Sequence, residues 1–167
     1  MMKRELRLYN VIFPIWLLFL FPVVLILVIP ANLAVDSLVL LLTLLALKHD
    51  GKRAVLKQLW WKFWLLGFAA DGVGVLWMLL GFLPFQNDAL APLWNDTLRY
   101  IMHNPFGHPA AFLWTLVGVV LAGVCIYCFD MRAMKSCSLL SGAEKHTIAL
   151  TMAIVTAPWL FFIPTYR

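Results

Sequence analysis

Charged residues are scarce in this chain. Only 13% of its 167 residues are Asp, Glu, Lys or Arg, against 63% hydrophobic, and the mean hydropathy is +0.90. A soluble domain carries about 25% charged residues, so a soluble fold is excluded. Cysteine is also rare, and three residues make no extracellular disulfide framework. Serines are few, and no P-loop, G-x-S-x-G or H-E-x-x-H pattern occurs. A membrane enzyme would therefore have no recognisable nucleophile or base except the aspartates. The formal net charge is +5, but zinc-finger, helix-turn-helix and RNP patterns are absent and no nucleic-acid partner is expected. No cofactor and no metal is expected either.

What the chain has instead is long apolar runs, near the ~20 residues that span a bilayer. They predict an all-α integral membrane bundle, one domain over residues 1–167, with about five transmembrane segments. The first, Val11 to Ile29, contains Pro14 and Pro22 and is closed by Pro30. The second, from Asn32 or Leu33 to Leu47, is short, so the first two read as a tight hairpin, spanning or re-entrant. The first run is too long and lacks the cleavage site of a removed signal peptide. The third segment runs from Trp60 to Pro84, the fourth from Pro109 to Phe129 and the fifth from His146 to Ile163, with a broken end at Pro158. Between the third and fourth, Leu90, Leu93, Trp94, Leu98, Ile101 and Met102 repeat at helical spacing and predict a short external interfacial helix.

Basic residues lie beside these runs. Lys3, Arg4 and Arg7 precede the first, Lys48, Lys52, Arg53, Lys57 and Lys62 the third, and Arg132, Lys135 and Lys145 follow the fourth. The positive-inside bias then predicts a multi-pass protein with a cytoplasmic amino terminus and an external carboxyl terminus at Arg167. Trp60, Trp61 and Trp64 form an aromatic edge. Arg53 to Gln58 reads as an amphipathic turn on anionic headgroups, with Lys52, Arg53, Lys57 and Lys62 as the headgroup contacts.

Asp71 lies near the middle of the third segment. A carboxylate at membrane depth is costly and is a functional-site candidate by default. Gly67, Ala70, Asp71 and Gly74 share a helix face, so Asp71 faces another helix rather than lipid. It reads as an ion or proton site, or as a structural carboxyl that ties helices together. Asn32, Asp36 and Thr43 form a second polar stripe, with Asp36 expected nearer the external surface than Asp71. It lines a hydrated path, or Asn32 or Asp36 caps the helix. Ala111, Thr115, Gly118, Ala122 and Cys125 form a small-residue seam on the fourth segment, read as packing. Thr147 and Thr151 make a weaker stripe on the fifth. Cys125 and Cys128 fit C-x-x-C, but toward a helix C-terminus, where inert thiols are the better reading. His103 and His108 with Asp88 and Asp96 read as interfacial rather than metal-ligating.

Arg7-Leu8-Tyr9-Asn10-Val11-Ile12-Phe13-Pro14, Pro30-Ala31-Asn32-Leu33-Ala34-Val35-Asp36-Ser37-Leu38 and Thr156-Ala157-Pro158-Trp159 resemble an uncharacterised family of small polytopic bacterial membrane proteins. The resemblance implies a bacterial inner membrane and brings no activity, cofactor or functional residues with it. The residues themselves predict a small cation or proton channel or transporter, homo-oligomeric in the bilayer, with a small ion or solute as cargo. The alternative is a membrane scaffold that binds a partner protein or anionic lipid.

Overall fold

The computed structural model describes residues 22–81 and 91–164. The amino-terminal charges, Val11 to Phe21, Asp88 and Arg167 lie outside the described residues. Five α-helices follow in order: α1 Pro22–Ala46, α2 Lys52–Leu80, α3 Ala91–His103, α4 Pro109–Ala133 and α5 Gly142–Val155. No strand occurs among the described residues. Helices α1, α2 and α4, and α5 with the 3-10 turn Trp159–Phe162 that follows it, are each long and apolar enough to cross a membrane. The chain is thus an all-α bundle consistent with a multi-pass membrane protein.

The expected hairpin at Pro30 does not form. Pro30 stands inside α1, so the end of the first predicted segment and the whole of the second are one helix. Four candidate spans result among the described residues, where five were expected. Proline removes one intrahelical hydrogen bond, which spanning helices tolerate when neighbours engage the disturbed backbone. Beside Pro30, the Trp64 indole N–H of α2 donates to the Ile29 carbonyl at 3.1 Å and ties this part of α1 to its neighbour. The cap expected of Asn32 or Asp36 is lost for the same reason, because both are mid-helix. The chain turns later, after Leu47. The Lys48 N–H donates to the Leu45 carbonyl and the His49 N–H to that of Leu44, with Lys48 in the left-handed region at φ 53°, the Schellman ending of a helix.

Helix α2 starts earlier than its apolar run. Arg53 to Gln58 belongs to its first turns rather than to a surface turn, because Val55 and Leu59 are fully buried there. Its 29 residues reach about 43 Å, longer than a ~30 Å hydrocarbon core, which leaves a turn or two for the interface. Helix α5 starts with a capping box. The Ser141 hydroxyl accepts from the Glu144 N–H, and the Glu144 carboxylate accepts from the Ser141 N–H. Helix α5 ends at Val155, ahead of Pro158. The turn after it folds back on the bundle, with Phe161 buried.

Helix α2 packs against α1 on one side and α4 on the other, and α5 closes the ring between α4 and α1. The amphipathic α3 lies on α4, burying Thr97 and Ile101 while Asp96 stays exposed. Two apolar clusters fill the interior. One gathers Leu40, Leu44, Leu59, Phe63, Ile126, Met134, Cys137, Leu140, Ile148 and Met152 near the α1–α2 turn and the α4–α5 linker. The other gathers Val75, Met78, Ile101, Val119 and Phe161 at the opposite end. Leu38, Leu42, Leu65, Leu76, Leu113, Val117, Leu150 and Ile154 cover the outside, as lipid contact requires.

The antiparallel α2–α4 joint is close because it is lined by small residues. A Cβ added at Gly74 would stand 3.0 Å from the Phe161 ring and 3.3 Å from Ala122, and one at Gly118 3.0 Å from the Trp77 ring. A Cβ at Gly72 would meet nothing within 4 Å. Gly74→Leu and Gly118→Leu are expected to lower the unfolding free energy in detergent by about 2 kcal/mol or more through overpacking. Gly72→Ala is expected to leave it unchanged or slightly raised, and equal effects at the three positions would refute this account of the joint.

Candidate functional site

Three carboxyl groups enter the bundle from three helices. Asp71 of α2, Asp36 of α1 and Asp130 of α4 are 6%, 2% and 1% exposed. Asp71 sits where the two apolar clusters of α2 meet, between Ala70 and Val75. Asp36 approaches α2 where Gly67 leaves space, and a Cβ at Gly67 would stand 3.2 Å from its Oδ2. Gly67 precedes Asp71 by one helical turn, about 5–6 Å.

This contact reverses the expected order of depth. The α1–α2 turn sets the basic end of the bundle, and Asp36 lies beside Gly67, on the basic side of Asp71. Asp36 was expected nearer the external surface because the hairpin would have turned the second segment round. Asp130 lies nearer still to the basic end. In the antiparallel register fixed by Gly74 against Gly118 and Ala122, it falls about two turns from Asp71. Asp36 is within electrostatic reach of both other carboxyls, so ionised forms repel.

The three groups lack ordinary partners. Among the described residues, Asp36 Oδ2, Asp71 Oδ1 and both oxygens of Asp130 are buried without a hydrogen bond, and no basic side chain pairs with any of them. The only ion-pair geometry among the described residues is His49 Nδ1 to Glu144 Oε1, 2.9 Å, at the basic end. Buried polar groups are normally satisfied, and each exception costs about 1–3 kcal/mol and asks for a reason.

Asp130 was not among the sequence candidates. The fourth segment was ended at Phe129, and Asp130 was read as the first residue of a polar linker. The signal was present. The buried face of α4 runs Ala111, Thr115, Gly118, Ala122, Ile126, Asp130, so continuing the small-residue stripe at i+4 leads to the carboxylate. Cys125, expected on that seam, stands beside it half-buried, and Ile126 takes the buried position.

The remaining candidates are placed as follows. Thr43 is buried, and its hydroxyl donates to the Val39 carbonyl at 2.8 Å. Asn32 is half-buried, one turn before Asp36. Ala70, Gly74, Gly118 and Ala122 are buried in the helix joints, and the Thr115 Oγ1 is buried without a hydrogen bond. Lys52 and Lys62 are partly exposed, Arg53 and Lys57 are exposed, and the Lys62 ammonium lies 5.8 Å from the Trp61 ring centre. The Thr147 and Thr151 hydroxyls donate to carbonyls of their own helix. Cys125, Cys128 and Cys137 are free thiols. His108 caps α4 by accepting from the Ala110 N–H and stacks on Tyr100.

No protein-family model matches the chain, and neither a curated protein nor a solved structure does. The site is therefore read from its own geometry. Three interior carboxyls with free oxygens and, among the described residues, no fixed cation can accept protons or coordinate a small cation, and they repel anions.

A carboxyl that holds helices together and one kept for a ligand respond oppositely to neutralisation. Asp36→Asn, Asp71→Asn and Asp130→Asn remove like-charge repulsion and break no hydrogen bond of the oxygens named above. Each is expected to hold the melting temperature in detergent or raise it by a few degrees, about 1 kcal/mol. A fall of several degrees in all three would mark them as structural ties.

Proposed function

We propose that this chain is a small membrane transporter or channel for protons or small cations, with Asp36, Asp71 and Asp130 as the groups that hold the moving charge. The observation that carries the reading is the trio itself, three interior carboxyls on three helices with unpartnered oxygens and, among the described residues, no basic neighbour paired to them. Unsatisfied buried carboxyls are expensive, and a protein retains them where a ligand supplies the missing interactions. A proton or a bare cation does so, and an anion does not. Asp71 occupies the middle of the bundle. Asp36 and Asp130 lead from it toward the basic end.

Orientation belongs to the same proposal. His49 of the α1–α2 turn meets Glu144 of α5, so Lys48, Lys52, Arg53 and Lys57 gather at the same end of the bundle as Arg132, Lys135 and Lys145. The positive-inside bias assigns that end to the cytoplasm. Helix α3 and the carboxyl-terminal end of the chain then face outward.

A second reading is favoured by that same gathering of charge. A basic end built from two loops suits anionic headgroups or an acidic partner, and the chain would then be an accessory subunit. Purification with a stoichiometric partner and no ion flux would support it.

The deciding experiment is flux in proteoliposomes. Wild-type protein is expected to dissipate a proton or alkali-cation gradient, and Asp71→Asn to slow it about tenfold or more, since replacing a binding group removes its charge-assisted contact. Flux unaffected by all three Asp→Asn changes, or no flux from any form, would remove the transport reading. A reporter inserted beside Lys135 is expected on the cytoplasmic side, and its appearance outside would invert the orientation.

A further inference from the structure

The carboxyls need a way to water, and three of the four joints around them are tight. Between α1 and α2, Asp36 fills the gap over Gly67, with Leu40, Leu44, Leu59 and Phe63 packed beyond it. Between α2 and α4 lies the Gly74–Gly118–Ala122 seam, covered by Phe161. Between α4 and α5, a Cβ at Gly123 would stand 3.3 Å from the Ala153 carbonyl oxygen, with Ile126, Ala149 and Met152 buried beside it.

The fourth joint differs. A groove of about 390 Å³ separates α1 from α5, lined by Val39, Thr43, Leu47, Thr147, Thr151 and Val155 among others. At about 30 Å³ per water in the liquid, the groove has room for several, and its threonines are set among the apolar Val39, Leu42, Ala46, Leu47 and Val155. Three threonine hydroxyls line it, from both of its walls. It begins at Leu47 and Thr147, directly inside the His49–Glu144 pair that bridges the same two parts of the chain. It reaches Val39, and Asp36 stands three residues further along α1, on the same face.

We propose that the α1–α5 groove is the water-filled approach by which the ion reaches Asp36 from the basic end. Thr43, Thr147 and Thr151 hydrate it, and the His49–Glu144 pair stands across its mouth. The inference rests on the transport reading for its purpose, but not for its test, which reads accessibility rather than flux. The competing occupant is a lipid acyl chain, because the exposed side chains Leu42 and Val155 also line the groove.

The test places single cysteines in a protein whose Cys125, Cys128 and Cys137 are changed to Ala, reconstituted in proteoliposomes. A charged, membrane-impermeant methanethiosulfonate reagent is supplied on both sides of the bilayer. The thiolate is the reacting species and forms in water, not in lipid. Thr147→Cys and Thr151→Cys are therefore expected to react about tenfold or more faster than Ile154→Cys and Leu150→Cys, which face outward on the same helix. A Thr151→Cys rate equal to that of Ile154→Cys would mean that lipid or packed side chains fill the groove, and the proposal would fall. Fast labelling that leaves flux at the unlabelled rate would also overturn it, since a route blocked by the reagent cannot carry the ion. Where no form of the protein conducts, it is the transport reading that fails, and the labelling rates still report whether the groove holds water.

Discussion

Everything in this bundle depends on how closely α2 lies against its neighbours. No hydrophobic effect drives helices together inside a bilayer, since lipid tails are as apolar as leucine. Association relies on van der Waals contact, which falls off steeply with distance. Gly67, Ala70 and Gly74 on α2 and Gly118 and Ala122 on α4 remove side-chain bulk along the joints. The backbone of α2 can then approach both α1 and α4, and that approach encloses Asp71 within the ring instead of leaving it toward lipid. The small-residue stripes, which the sequence offers equally to a second copy of the chain, are taken up within one chain. Gly74 faces Ala122, Gly118 and Phe161, all of the same molecule.

Close packing of this kind also sharpens the problem of the carboxyls. Each brings a group that belongs in water into an interior of low dielectric, and Asp36 adds repulsion toward both others. The fold spends little on relieving it. The basic residues stay at one end of the molecule, and the only His–Glu pairing among the described residues is there too, at His49 and Glu144. Elsewhere the local rules are obeyed. Helix α5 has its capping box, α1 its Schellman ending, and Thr43, Thr147, Thr151 and Thr156 all donate to carbonyls one turn back. Natural chains break such rules mainly where function requires it, and in this chain three of the breaches are the interior carboxyls, with the Thr115 hydroxyl another toward the opposite end.

Much of this was legible from residue order alone. Asp71 with Gly67 and Gly74 on one face, the α4 seam, the short amphipathic α3 and the break before Pro158 all follow from helical periodicity and the chemistry of proline and glycine. The misreadings share a cause, which is that a helix boundary is decided by tertiary contact. Pro30 looked like a stop, yet α1 continues through it, with the Trp64 indole donating to the adjacent Ile29 carbonyl from a helix 35 residues away in sequence. Arg53 to Gln58 looked like a separate surface turn, yet the buried Val55 and Leu59 carry α2 down to the basic end. Asp130 looked like a linker residue because it follows Phe129 and precedes Arg132, and only the continued i+4 stripe of α4 reveals that it points inward. The reversed depth of Asp36 follows from the first error, since a helix that does not turn at Pro30 runs the other way.

The placement of the acids relative to the basic end gives the molecule a direction. Asp130, Asp36 and Asp71 recede from the cationic end toward the middle. Beyond Asp71 the interior is closed by Val75, Met78, Val119 and Phe161, with the stacked Trp77 and Trp114 rings, 4.5 Å apart, alongside. On the proposed reading, an ion held by these carboxyls would meet polar contacts on one side and an apolar barrier on the other. One element touches both the groove and this barrier, α5 with the turn that follows it. Its helix is the shortest of the four candidate spans, it is interrupted before Pro158, and it borders the loosest joint. Its far end, through Phe161, rests on Gly74, one turn from Asp71, so the element that borders the groove also touches the seam beside the central carboxyl.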